Sequence, residues 1–140
     1  MIKLYDKTGE VLIGELEDCI SCNVTEVRNG IFDARLVYPA MRLISNNLIK
    51  ENIIVCKASD ILLNQKFRIF NVKKKHSNTI EVIARHISFD LLYDFIENIN
   101  IVNQSCEYAL NTIFRNSQFS RHYKGHSDII NAQDYNMSMA

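Results

Sequence analysis

An α+β fold dominated by antiparallel strands is predicted by three features of the sequence. Gln65-Lys66-Phe67-Arg68-Ile69-Phe70-Asn71-Val72 and Thr79-Ile80-Glu81-Val82-Ile83-Ala84 are β-rich runs, and the polar Lys73-Lys74-Lys75-His76-Ser77-Asn78 between them has the character of a hairpin loop. Directly downstream, Ser88 can cap a helix and Asp90 places a negative charge in its positive first turn, while Leu91, Leu92, Phe95 and Ile96 recur at helical spacing. Upstream, Asn29-Gly30 is the residue pair that best tolerates the two positive φ angles of a type I′ hairpin turn.

The chain opens with a hairpin, because apolar runs at Lys3-Leu4-Tyr5-Asp6 and Val11-Leu12-Ile13-Gly14-Glu15-Leu16 flank Lys7-Thr8-Gly9-Glu10. Cys22 and Val24 then share one face of a half-buried strand, with Asn23 and Thr25 on the other. Across Asn29-Gly30 it pairs with residues 31–38, where Phe32, Ala34, Leu36 and Tyr38 share a face; Pro39 lacks an amide donor and ends this strand. Residues 41–50 predict a loop or a single helical turn, since Ser45-Asn46-Asn47 interrupts the apolar positions. Asn52-Ile53-Ile54-Val55-Cys56-Lys57 is rich in β-branched residues without alternation, as in a strand buried on both faces.

After the helix that begins near Ser88, residues 98–104 change to polar alternation and mark a boundary between a first domain, 1–98, and a second, 99–140. Ser105 caps a further helix bearing Cys106, Leu110, Ile113 and Phe114 at i, i+4, i+7 and i+8. Ser127-Asp128-Ile129-Ile130 is the remaining strand candidate. Residues 131–140 are expected to be poorly packed unless another chain covers them, as the beginning of an incomplete domain.

Sixteen basic and sixteen acidic side chains cancel, which removes the global field that draws proteins to nucleic acid or anionic membranes. Apolar runs such as Ile53-Ile54-Val55-Cys56 fall far short of the roughly 20 residues that cross a bilayer. Charge within Met1-Ile2-Lys3-Leu4-Tyr5-Asp6 argues against a secretory signal, so the chain is expected to be made in a cytoplasm. Cys19, Cys22, Cys56 and Cys106 lack the density of a disulfide scaffold and are expected to be reduced and mostly buried.

Cys19-x-x-Cys22 with His122-x-x-x-His126 supplies Cys2His2 zinc-ligand types. About a hundred residues separate the two pairs, however, against roughly a dozen in zinc fingers, and the odd spacing of the cysteines would send them to opposite faces of a strand. Cys106 is the candidate for a cysteine nucleophile, with His86, His122 or His126 as base, although its apolar helix face reads as core. His86 is instead expected to be held at a strand-to-helix junction by a hydrogen bond. Glu15, Glu17 and Asp18 beside a turn, and Asp90, Asp94 and Glu97 along a helix edge, read as solvated carboxylates rather than a glycosidase pair. Lys73, Lys74 and Lys75 with Arg68 and His76 form a basic patch without the interleaved aromatics of a nucleic-acid platform. No catalytic, cofactor or metal-binding residue is assigned on these grounds.

Taken in order, Leu4-Tyr5-Asp6, Gly14 with Leu16, Asp18-Cys19, Val24-Thr25-Glu26 before Asn29-Gly30, Gln65-x-Phe67-Arg68-Ile69, Ala84-Arg85-His86-Ile87-Ser88-Phe89-Asp90-Leu91, Ala109-Leu110 and Ser127-Asp128-Ile129 form a pattern. It resembles the N-terminal region of the prophage tail endopeptidase family, the tail-associated lysins of phages infecting Gram-positive bacteria. The resemblance implies a structural tail-tip or baseplate hub at the virion tail tip, with a tail-tube-like β-barrel carrying a packed helix and followed by the start of a second hub domain. It implies a homotrimer that continues or closes the tail tube and binds distal tail and tail-tube proteins, with any peptidase or lysin activity in a C-terminal part beyond this sequence. Such a barrel would be closed or nearly closed, with Leu12, Val24, Phe32, Leu36, Val55, Phe70 and Val82 pointing mostly inward. The alternative is a fragment of a peptidoglycan- or peptide-cleaving tail enzyme.

Overall fold

The computed structural model describes residues 1–96, 98–118 and 123–138, and of residues 136–138 the backbone only. Contacts divide the chain into two units, Met1–Ile87 and Ser88–Ala140. The first unit holds β1 (Lys3–Tyr5), β2 (Leu12–Glu15), β3 (Ser21–Glu26), β4 (Phe32–Pro39), β5 (Ile53–Cys56), β6 (Gln65–Lys75) and β7 (Thr79–His86). All pair antiparallel in one sheet, in the order β2-β1-β5-β6-β7-β4-β3.

Topology alone requires this sheet to curl, because its two edges, β2 and β3, are consecutive in the chain. Seven flat strands about 4.8 Å apart would hold their edges about 29 Å from each other. The six residue steps from Glu15 to Ser21 reach at most about 22 Å. The sheet therefore bends into a half-barrel around Leu4, Leu36, Tyr38, Ile54, Phe67, Ile69 and Val82, all but inaccessible to solvent. It is an open half-barrel where a closed or nearly closed barrel was expected: β2 and β3 remain edges, joined by the connecting residues.

Register decides which side chains enter this core. Val24, Phe32, Leu36 and Val82 pack in it as expected, but Leu12, Val55 and Phe70 do not. An irregularity opposite Leu4 and Tyr5 turns Ile13 inward in place of Leu12. Ile54 and Cys56 are the inward residues of β5, leaving Val55 on the other face. In β6 a bulge between Ile69 and Asn71 inserts Phe70 as an extra residue, so the inward series runs Phe67, Ile69, Val72. Phe70 is exposed, with the Arg85 guanidinium 4.8 Å from its ring centroid. The hairpin also reaches further than expected: β6 continues through Lys75, leaving residues 76–78 as the turn.

The β3–β4 connection is not the two-residue Asn29-Gly30 turn. Glu26 faces Phe32, Val27 N donates to Ile31 O at 2.8 Å and Gly30 N donates to Val27 O at 2.9 Å, so residues 28–30 form a three-residue loop. Only Asn29 takes positive φ, 57°. Gly30 does not; a Cβ there would crowd Val27 Cγ1 at 3.2 Å. Asn29→Val is accordingly expected to destabilise the first unit by about 1–2 kcal/mol and Asn29→Gly by a few tenths at most, as read from denaturant midpoints.

In the β1–β2 loop, the Asp6 carboxylate accepts Thr8 Oγ1 at 2.7 and 2.8 Å and the amides of Glu10 and Val11 at 3.3 and 3.2 Å. The Thr8 hydroxyl first, then the backbone donors, hold its pKa below the ordinary 3.8. A depressed carboxylate pKa means a contribution present above the unfolded value and lost as the pH falls through the folded one. The Val11 amide shift should thus titrate with a midpoint below 3.8, and Asp6→Asn should abolish that step.

The second unit contains β8 (Asn98–Gln104), α1 (Cys106–Asn116) and β9 (Gln133–Ser138). Ser105 caps α1 as expected, its Oγ accepting the Tyr108 amide at 3.2 Å. Ile99, Ile101 and Ala109 are buried together, with Ile96, Ile113 and Tyr135 packed against them. The participation of Ile96 explains why residues ahead of 98 belong to this unit. The expected strand at Ser127-Asp128-Ile129-Ile130 is not formed. β9 lies later and pairs with β8, while Asn131, Ala132, Gln133 and Asp134 stay exposed. Nor does an α-helix run from Ser88: Ile87–Tyr93 is a 3-10 helix, and Leu92, Tyr93 and Phe95 are exposed instead of forming a buried stripe.

Candidate functional site

The connection that bends the sheet also gathers thiols at one corner of the half-barrel. The chain turns at Leu16, whose carbonyl accepts the Cys19 amide at 3.3 Å, and enters β3 at Ser21. Cys19 precedes the strand, so strand alternation does not apply to it, and both Cys19 and Cys22 pack against the core that contains buried Cys56. Cys19 Sγ lies 3.2 Å from the Ser21 carbonyl oxygen. Cys22, on the β3 edge, packs against the same core that Cys56 enters from β5, although β4, β7 and β6 separate the two strands within the sheet.

The three thiols are not equivalent. Burial, and then the neighbouring Cys22, push the Cys19 thiol above its ordinary value. The neighbouring Cys56 lowers the Cys22 thiol against the effect of burial, and Cys22, then burial, raises Cys56. All four cysteines are free thiols. Among the described residues, no group of three His, Cys, Asp or Glu side chains is placed to hold a metal ion.

The other sequence candidates are distributed between the units. His122 lies outside the described residues. His126 belongs to the second unit, its Nδ1 3.1 Å from Glu107 Oε2, whereas Cys19 and Cys22 belong to the first. Tyr135 packs against the core of the second unit, and its hydroxyl is raised by burial and then by Cys106. His86, at the end of β7, hydrogen-bonds Gln65 Oε1 at 3.1 Å, stacks on Phe32 at 4.4 Å and meets Phe67 edge-on at 5.4 Å.

Of the carboxylates, Asp18 pairs with Arg42 at 2.9 Å and Glu15 with Lys3 at 3.9 Å. Asp94 accepts the amides of Phe95 and Gln118, Asp90 is buried, and Glu97 lies outside the described residues. The basic patch is divided by use: Lys75 pairs with Glu81 at 3.2 Å, while Arg68 turns to the carbonyls of Lys7 and Glu51 at 3.0 Å each. Neither the thiol corner nor a cleft of about 480 Å³ lined by Ser45, Leu48, Lys50, Val72, Lys74 and Ile80 follows from any local motif. Both arise where strands distant in sequence meet.

No family model, curated protein or solved structure matches this chain. No helix among the described residues is long and apolar enough to cross a membrane.

Proposed function

We propose that this chain is a structural component of a phage tail tip or baseplate hub, the N-terminal part of a tail-associated lysin, which assembles as a homotrimer and continues or closes the tail tube. The observation that carries the reading is the curled antiparallel sheet with two open edges. Edge strands present unpaired backbone donors and acceptors, so a half-barrel leaves part of its hydrogen-bonding capacity for a neighbour. A heterologous contact repeated around a closed rotation axis satisfies such edges in every copy, which open association does not. The ordered sequence pattern resembling the tail-lysin family supports the same assignment, with distal tail and tail-tube proteins as the other partners.

Light scattering on the purified chain tests the proposal. The expected mass is three times that of the 16.2 kDa chain, with hydrogen-exchange protection of β2 or β3 increasing on assembly. A strict monomer up to millimolar concentration, together with clearing of cell walls in a zymogram that Cys106→Ala abolishes, would replace the hub by the enzyme-fragment reading.

A further inference from the structure

The cleft of about 480 Å³ in the first unit is not used by the hub reading, and both of its walls are anchored by hydrogen bonds. Ser45 Oγ donates to Ala40 O at 2.8 Å and the Ala40 amide donates to Asn78 O at 2.9 Å, which ties the segment after β4 to the β6–β7 turn. Asn52 Nδ2 donates to Asn47 O at 2.9 Å, while the Glu51 amide donates to Ile69 O and the Ile69 amide to Asn52 O, at 2.9 Å each, fastening residues 47–52 to β6. Buried Leu48 and Ile80 and half-buried Val72 give the cleft an apolar floor. Lys74 follows Val72 by two residues on β6 and stands opposite Ile80 of β7, so a positive charge adjoins that floor. Lys50 lines the cleft from the 47–52 segment.

Charge in this cleft has one sign. Among the described residues no Asp or Glu lines it: Glu51 turns to Arg68 at 4.0 Å and Glu81 to Lys75 at 3.2 Å. The side chains of Lys50, Lys74, Asn46 and Asn78 make no hydrogen bond or ion pair among the described residues, which leaves two ammonium groups and two amides as donors at an exposed rim. Low-dielectric walls focus the field of like-signed charges onto an incoming anion. An inorganic anion would leave the apolar floor uncovered, and a neutral hydrocarbon would leave the lysines unpaired. We propose that the cleft binds a small amphipathic carboxylate, its unbranched apolar body on Leu48, Val72 and Ile80 and its carboxylate held by Lys50 and Lys74. Its volume falls within the roughly 300–1,000 Å³ of small-molecule sites, which combine an apolar lining with a few placed polar groups. The competing account is two solvated lysines above an ordinary surface depression.

Titrating the full chain with decanoate and following its backbone amide resonances separates the two, with 1-decanol and inorganic phosphate as probes of the apolar and anionic halves alone. The expected result is saturable shifts at the amides of Leu48, Lys50, Val72 and Ile80, with a millimolar or tighter dissociation constant at least about tenfold below that of either partial probe. Replacing both lysines, Lys50→Met with Lys74→Met, should weaken decanoate binding about tenfold or more, whereas Lys74→Arg, which keeps the charge, should stay within about threefold. Lys73→Met, a neighbour that does not line the cleft, should leave binding unchanged. The same spectra report that each variant is folded. Shifts that never saturate, equal binding of decanol, an unchanged constant in the double variant, or shifts spread over exposed apolar residues such as Leu43 and Ile61 would each overturn the proposal.

Discussion

Phe67→Ala is expected to destabilise the first unit by about 3–5 kcal/mol, a large part of the roughly 5–15 kcal/mol that holds a domain folded. Phe67 is inaccessible to solvent in β6, opposite Ile54 of β5 and His86 of β7. Its ring meets Phe32 of β4 edge-on, with centroids 5.3 Å apart, so one side chain packs four strands together. Removing it costs both the transfer of a phenyl group and the cavity that a curled, hydrogen-bonded sheet cannot collapse to fill. Urea unfolding should show a lower midpoint with an unchanged slope, whereas Phe67→Leu should cost under about 1.5 kcal/mol. A full-strength midpoint in the alanine variant would mean that the half-barrel does not pack around this ring.

Gly125→Val is expected to destabilise the second unit by about 3 kcal/mol, through two effects that act at the same backbone position. A Cβ on Gly125 would lie 2.5 Å from Leu110 Cβ and 3.2 Å from the Asn111 amide nitrogen, and the α1 backbone cannot give way as a flexible side-chain end could. Displacing the segment then breaks a reciprocal pair: Asn111 Nδ2 donates to Gly125 O at 3.1 Å, and Gly125 N donates to Asn111 Oδ1 at 3.0 Å. Hydrogen exchange should accelerate in α1 and β8 while β5, β6 and β7 keep their protection. Equal acceleration in both units would contradict separate stabilities, and no change would show that the 125 segment does not depend on α1.

Much of the secondary structure is legible in the chain because it depends on near neighbours. The Ser105 cap, the single turn near Leu43–Asn47, the doubly buried run at Ile53–Cys56 and the shared inward face of Ala34, Leu36 and Tyr38 follow from local chemistry or period-two alternation. Two other elements were missed for identifiable reasons. β9 has no apolar run of its own and exists through pairing with β8, while the segment after Ser88 has helical spacing but forms only a 3-10 helix with several of its apolar residues exposed.

Periodicity and turn chemistry alone establish that the protein is mainly antiparallel β with some helix, which segments are strands in its first half, and most of what they bury. Long-range pairing set the faces of Leu12 and Phe70, the three-residue loop at Asn29, the opening of the half-barrel and the packing of Cys19 and Cys22 against the core that holds Cys56. The physical reason is common to all of these. Side chains alternate with a period of two, so one inserted or skipped residue reverses the face of everything beyond it, and the partner strand rather than the local run decides where that residue falls. Curl is likewise a property of strand order, and strand order becomes visible only when the edges β2 and β3 are known to be neighbours in the chain.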